Sequence, residues 1–430
     1  MEQIKYAIGR SLPRQKRSRS AGDGGLSGQS VLLLIVHGLF AAANALSGTF
    51  VNVYLWKASH DFALIGSFAL AGQAAGTLTF LLAGNWVKTH NKMNCLRLGV
   101  ALSALFYLCV LALGVQSVQY APALGALQGA ASGFFWLAFN VVYFEVTGPD
   151  DRDRFNGWSG FIGSGTSMIA PWLSGLLITQ IGNGSGSGYR FIFTLSLFIF
   201  VAGAIVSFFL RKRPPEERFN WARIAESLRD RRSPWRLVVP ALAAQGAREG
   251  VFTFIIGVLI FVATGNEAKV GNYWLYASAA GLASYWAVGR FIKQRQRKGA
   301  MLAAVIMMTA AIVPFFYAVN YTTLLLFGVV VGVFFPMFIV PLTSSVFDLI
   351  GRDDESARHR VEYVVLRELG LGAGRMAGTL VFIVVVSQSA ALMTMNWLLL
   401  GIGSSCIVAW LFMRRFLDMG VRYSVDKRKE

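Results

Sequence analysis

Gly84-Asn-Trp-Val-Lys88-Thr-His-Asn-Lys92 returns 205 positions later as Gly289-Arg-Phe-Ile-Lys293-Gln-Arg-Gln-Arg297. A second stretch repeats at nearly the same distance. Phe144-Glu145-Val-Thr-Gly148-Pro-Asp-Asp151 returns 203 positions later as Phe347-Asp348-Leu-Ile-Gly351-Arg-Asp-Asp354. Two independent matches at nearly one offset make the chain two copies of one unit. A repeat of this kind decides the fold before any other signal does. Both stretches sit where apolar runs end, so the copies are membrane units, and two such halves are expected to enclose a central site.

Composition sets the solvent. Of 430 residues, 55% are hydrophobic and 14% charged, against about 25% charged in soluble domains. So apolar a body has too little polar surface for water, and lipid is its expected surroundings. The first 30 residues are polar and basic without an apolar core, so no cleavable signal is expected. Cys95, Cys109 and Cys406 lie in or beside apolar runs, which argues against a disulfide framework or a metal cluster. With four histidines no zinc site is expected, and no cofactor.

Twelve apolar runs follow one another, at 31–54, 62–83, 95–115, 119–145, 158–181, 190–210, 237–262, 270–289, 299–318, 321–347, 362–386 and 391–413. Each approaches the ~20 residues a helix needs to cross the hydrocarbon core. Placing both termini on one side puts 34 of the 40 Lys and Arg residues in loops and tails of that side. Lys57, Arg190 and Lys269 fall opposite, and Arg248, Arg367 and Arg375 lie inside runs. Positive loops stay in the cytoplasm. The expected fold is therefore an all-α membrane protein with 12 transmembrane helices in two pseudo-repeated six-helix bundles, both termini cytoplasmic, in the plasma membrane. The net charge of +18 then reflects this bias and attraction to anionic lipid headgroups, and nucleic acid is not an expected partner despite the tail Arg14-Gln-Lys-Arg-Ser-Arg19.

The expected organisation is a basic tail at 1–30, a first bundle at 31–210, a linker at 211–236, a second bundle at 237–413 and a tail at 414–430. In the linker, Phe219, Trp221, Ile224 and Leu228 recur at helical spacing, as in an amphipathic helix on the inner membrane surface. Gly370, Gly372, Gly374 and Gly378 could be read as a dinucleotide fingerprint. No strand precedes them, and close helix packing is the better reading.

Twelve spans in a 6+6 arrangement, a long basic central loop and a half-to-half repeat resemble the major facilitator superfamily, over about residues 30–415. That family's loop after the second span reads Gly-x-x-x-Asp-Arg/Lys-x-Gly-Arg/Lys. Gly84 and Lys92 fit, but Lys88 stands at the acid, Thr89 at a base and Asn91 at the second glycine. The copy keeps Gly289 and Arg297, with Lys293 at the acid. The resemblance implies two bundles rocking about a central cavity. It implies a monomeric secondary transporter that moves a small molecule by alternating access, with proton coupling and export as the preferred reading. A lipid flippase of the same fold and a non-transporting sensor are the alternatives. An enzyme is not expected, because no nucleophile–base pair, HExxH or GxSxG occurs.

Ionisable groups inside spans are expensive and mark function by default. Arg248 and Glu249 lie near the middle of the seventh run, and Arg367, Glu368 and Arg375 in the eleventh. Glu368 and Arg375 are seven apart, on one helix face. Arg248, Glu249, Glu368 and Arg375 are expected to meet in one polar cavity of the C-terminal half. They would either take up a proton on Glu249 while an arginine holds an anionic group, or form a structural salt bridge such as Glu249–Arg375. His37, Asn44, Trp136, Asn140 and Tyr143 are the binding candidates of the first half. Glu145 and Asp348 end their runs at the inner surface. Salt links from Glu145 to Lys88 and Lys92, and from Asp348 to Lys293 and Arg297, would close that side. The alternative is that both acids are solvated helix ends.

Overall fold

The computed structural model describes residues 26–147, 152–182, 186–212, 219–231, 233–292, 296–350, 359–389 and 391–426. Among them there is no strand. In hydrocarbon every backbone N–H and C=O must be satisfied within its own segment, and helices do that. The first half runs α1 (Gly28–Ser59), α2 (Phe62–Thr89), α3 (Lys92–Leu113), α4 (Ala121–Val146), α5 (Arg152–Gly182) and α6 (Ser187–Ser207). A short α7 (Trp221–Arg229) leads to α8 (Trp235–Thr264), α9 (Glu267–Phe291), α10 (Arg297–Ala310), α11 (Tyr321–Ile350), α12 (Arg360–Gln388), α13 (Leu392–Gly403) and α14 (Ser405–Asp426). Polar residues punctuate the sequence at the helix starts. The side chains of Ser27, Asp61, Asn91, Asn220 and Asn266 each accept a backbone N–H of the first turn.

Eleven segments are long and apolar enough to cross a membrane. The remaining run lies in α9, whose 25 residues are long enough but include Glu267, Lys269, Asn272 and several serines and tyrosines. By length and hydropathy the count is eleven, and α9 stands apart because its charged and polar residues lower its hydropathy. It meets α5 of the first half and α11 of the second.

Within the first half α2 packs on α4, and α1 on α5 and α6; within the second α8 packs on α12 and α14, and α9 on α11. The halves meet where α2 packs on α12 and α5 on α9. In lipid, helices associate by close backbone approach at small residues. At the α2/α4 crossing a Cβ on Gly125 or Gly129 would collide with the carbonyls of Phe68 and Gly72. Gly328 and Gly332, 203 positions on, occupy the same kind of place against Tyr273 and Ala277 of α9. The glycines of α12 also serve packing. A side chain at Gly374 would collide with Ala243 O of α8, and one at Gly372 with Thr77 of α2.

The linker carries the short helix α7, with one face buried and the other exposed. Phe219 and Ile224 are buried against the bundle, Phe219 beside Gly84, while Trp221 and Leu228 are exposed. Phe219, which precedes the helix, sits at the α2/α12 seam, and within the helix Ile224 faces the protein while Trp221 and Leu228 stay exposed.

The crossing of α8 and α12 should tolerate no bulk. Gly374→Leu is expected to lower stability by more than the about 1–3 kcal/mol typical of overpacking, because backbone rather than a movable side chain is struck. Gly157→Ala in α5, where a Cβ meets open space, should be neutral. Thermal unfolding of the two purified variants in detergent measures both, and equal melting temperatures would refute the packing account.

Candidate functional site

The site begins at the α8/α12 crossing. Gly250 lies so close to α12 that a Cβ there would sit 2.7 Å from Arg375 Cα. The neighbouring Glu249 is thereby delivered to the Arg375 guanidinium. Arg375 Nη2 donates to Glu249 Oε1 at 2.9 Å and Arg375 Nη1 to Glu368 Oε1 at 2.5 Å. Gln245 Nε2 donates to the other Glu249 oxygen at 3.2 Å. One arginine thus holds two carboxylates, one on its own helix two turns away and one on the helix opposite. This is the fork geometry for which guanidinium is suited.

This trio lines a cavity of about 720 Å³ between the halves. The first half contributes Gln73, Thr77, Gln128, Trp136 and Asn140. The second contributes Arg367 beside the trio, its guanidinium 5.7 Å from the Phe347 ring. Gln73 Nε2 reaches across to donate to Gly250 O at 3.0 Å. Amide and aromatic groups therefore face a charged wall.

Arg248 is not part of this wall. Residues adjacent in a helix point about 100° apart, so while Glu249 faces the central cavity, Arg248 faces α9 and α11. The expected meeting of Arg248 with Glu249, Glu368 and Arg375 is corrected accordingly: three meet, Arg248 does not, and the cavity belongs to both halves. Of the first-half candidates, Trp136 and Asn140 line the cavity. His37, Asn44 and Tyr143 are not among its lining. His37 is buried, stacked on Phe139 at 4.8 Å; Asn44 Nδ2 donates to Phe40 O one turn back; the Tyr143 ring packs 5.3 Å from Phe155. Gln73 and Thr77 were missed. Their signal was two polar residues one turn apart in an apolar run.

Ion pairs tie the helix ends. Lys92 pairs with Glu145, and Arg297 Nη1 lies 3.4 Å from Asp348 Oδ2 with the carboxylate largely exposed. Lys92 to Arg297 is 205 positions and Glu145 to Asp348 is 203, so the two pairs are repeat counterparts. Each stays within its own half. Lys293 lies outside the described residues. The expected link from Lys88 to Glu145 does not form. Lys88 ends α2 while Lys92 begins α3, and the break at His90 and Asn91 turns the two side chains apart. Lys88 instead crosses to the second half, where its Nζ donates to Glu362 Oε1 at 2.7 Å with both side chains buried. Asn220 N also donates to Glu362 Oε1 at 2.9 Å, so the linker joins this knot. At the opposite face Lys57 of α1 pairs with Glu267 of α9 at 2.9 Å, and Tyr189 Oη donates to the same oxygen at 2.9 Å. Glu362 and Glu267 were missed because each stands at the edge of an apolar run, where an acid reads as a loop charge.

The Major Facilitator Superfamily profile matches residues 33–358, and the chain belongs to that superfamily, a family of membrane transporters rather than enzymes. It is 36% identical over 405 residues to the uncharacterized protein YqgE of Bacillus subtilis (strain 168), covering 94% of each chain. It is 44% identical over 151 residues to a protein encoded in the sodM 3' region of Geobacillus stearothermophilus, over 35% of this chain and 71% of that one. Among solved structures it resembles the nucleoside transporter NupG with a TM-score of 0.67 at 14% identity, over 90% of this chain and 100% of that one. It resembles a bacterial homologue of the iron transporter ferroportin in its outward-facing state with a TM-score of 0.60 at 15% identity, over 90% and 98%. At these identities the likeness is one of fold.

Breaking a buried ion pair on one side strands a charge, whereas replacing both partners does not. Lys88→Met is expected to destabilise the protein by about 3–5 kcal/mol, and adding Glu362→Leu to it should restore most of the loss. Denaturant midpoints of the single and double variants in detergent decide the matter. Strictly additive losses would show that the two residues do not depend on each other.

Proposed function

We propose that the protein is a proton-coupled secondary transporter of a small molecule, working by alternating access as a monomer. The reading takes α9 as a twelfth span. It divides the chain into six-helix bundles at 31–210 and 237–413 joined by 211–236, with both termini cytoplasmic in the plasma membrane and export as the direction. The single observation that carries it is Arg375 shared between Glu249 and Glu368 on the wall of the central cavity. With both acids ionised the triad carries one net negative charge. A proton on Glu249 removes that charge and weakens one of the two bonds, leaving Arg375 a free donor edge toward the cavity. Protonation and cargo binding are then alternatives at one guanidinium, which is what coupling needs. In the proposed cycle Lys88–Glu362 and Lys57–Glu267 tie the halves at opposite faces and are released in turn. Lys92–Glu145 and Arg297–Asp348 brace the loops within each half.

A compound that raises the melting temperature of the purified protein, loaded into proteoliposomes, should move when a pH gradient is imposed. Glu249→Gln should fold, keep its melting temperature and lose the response to the gradient. Gradient-driven flux at the wild-type rate in that variant would remove Glu249 from the mechanism.

A second reading, a lipid flippase, draws on the α5/α9 seam. At one end the helices touch, a Cβ on Gly175 falling 2.5 Å from Glu267 O. Toward the other end Gly157, Gly160 and Gly163 of α5 meet open space, and Trp158 and Phe161 are exposed. Such a seam favours a cargo that enters from the bilayer. Translocation of a fluorescent phospholipid in proteoliposomes, absent without the protein, would establish it. No translocation above empty vesicles would dismiss it.

A further inference from the structure

Behind Glu249 lies a second cavity of about 290 Å³, within the second half and lined by α8, α9 and α11 with Cys406 of α14. Glu249 and Thr253 belong to the walls of both cavities. The smaller chamber is an aromatic box, with Phe252, Tyr273, Trp274, Phe327 and Phe335 on its sides. Arg248 stands in its wall with 6% of its surface exposed. Among the described residues no carboxylate lies within ion-pair distance of it, its side chain makes no hydrogen bond, and its Nε is buried without an acceptor. What the guanidinium has instead are two ring faces, Phe252 at 4.8 Å and Phe335 at 5.9 Å.

A lone cation in the membrane interior is costly. Lys88 and Lys92, also deeply buried, each hold a carboxylate; Arg248 does not. Cation–π contacts offset part of the cost, and they also fix the plane of the guanidinium. A second donor is in the same state. Trp274 Nε1, in the same wall, is buried without an acceptor. The box thus offers two hydrogen-bond donors, one of them charged, beside one buried acceptor without a donor, Gln245 Oε1, and flat apolar walls. Two donors without acceptors call for an anion, the guanidinium fork matches a carboxylate, and stacked aromatic walls match a flat ring.

We propose that this chamber is a binding site for aromatic monocarboxylates, with the carboxylate held by Arg248 and the Trp274 N–H, and the ring lodged between Phe252, Phe335 and their neighbours. The site is distinct from the Glu249–Arg375–Glu368 triad yet shares the Glu249 wall with it. An anion seated there lies next to the residue proposed to take the proton. Only the reading of this ligand as cargo rests on the transport function proposed above; the binding site itself does not.

Isothermal titration of the purified protein in detergent with naphthoate, its neutral amide naphthamide, and naphthylmethylammonium tests the site. The expected result for the wild type is saturable naphthoate binding, with the amide about tenfold or more weaker, as loss of a charge-assisted hydrogen bond implies, and no binding of the ammonium. Arg248→Gln should weaken naphthoate to the level of the amide and leave the amide unchanged. Trp274→Phe, which keeps the ring and removes the N–H, should weaken naphthoate alone and serves if Arg248→Gln does not fold. Naphthoate binding no tighter than that of the amide up to millimolar concentrations overturns the proposal. So does a loss caused by Arg367→Gln with none caused by Arg248→Gln. If naphthoate binds as expected but a pH gradient drives no naphthoate flux in proteoliposomes, the site stands and the transport reading falls; absent binding with gradient-driven flux of another compound does the reverse.

Discussion

A charge placed inside a lipid-solvated protein must be answered by an opposite charge or by a ligand, and this constraint organises the molecule. Arg375 is answered twice, by Glu249 and Glu368. Lys88 is answered across the seam between the halves by Glu362, and Lys92 within its half by Glu145. At the triad the charges meet where the helices approach at glycines, Gly250 against Arg375 and Gly374 against Ala243. Widening that crossing by a side chain would draw Glu249 away from Arg375, while Glu368, on the same helix as Arg375, would stay. Packing and electrostatics are therefore one problem here, solved at the same few positions.

The ties between the halves differ in strength from face to face. Lys88 and Glu362 are both buried, so parting them leaves two desolvated charges. Lys57 remains about two-fifths exposed while it holds Glu267, and exposed pairs contribute only about 0–1 kcal/mol. In the proposed cycle the Lys88 face is the harder to open, and Asn220 adds the linker to that knot. Between the two faces, Gln73 donating to Gly250 O couples the first half to the backbone that carries Glu249.

Much of this was legible in the sequence. The offset shared by the loops gave two halves, and that offset also relates Lys92–Glu145 to Arg297–Asp348. The same 203-residue step joins Gly125 and Gly129 to Gly328 and Gly332, a packing signal that went unread because glycines in apolar runs look alike until their neighbours are known. The triad was legible in part, since Glu368 and Arg375 share a helix face. Arg248 was misplaced because adjacent residues were read as one group, though a helix turns them apart. Lys88–Glu362 was out of reach, since a contact between halves 274 residues apart leaves no local pattern. Hydropathy alone leaves α9 out of the span count because its charged and polar residues, Glu267, Lys269, Asn272 and Arg290 among them, dilute its apolar ones.

The central claim is that protonation at the Glu249–Arg375–Glu368 triad moves the two halves relative to each other. Pulsed electron–electron resonance between spin labels at Gly157 of α5 and Gly289 of α9, both with open space around them, measures that movement directly. The account predicts two distance populations in lipid nanodiscs whose ratio changes between acidic and alkaline pH, and one pH-independent population in Glu249→Gln. A single distance distribution in the wild-type protein, unchanged with pH, would contradict it.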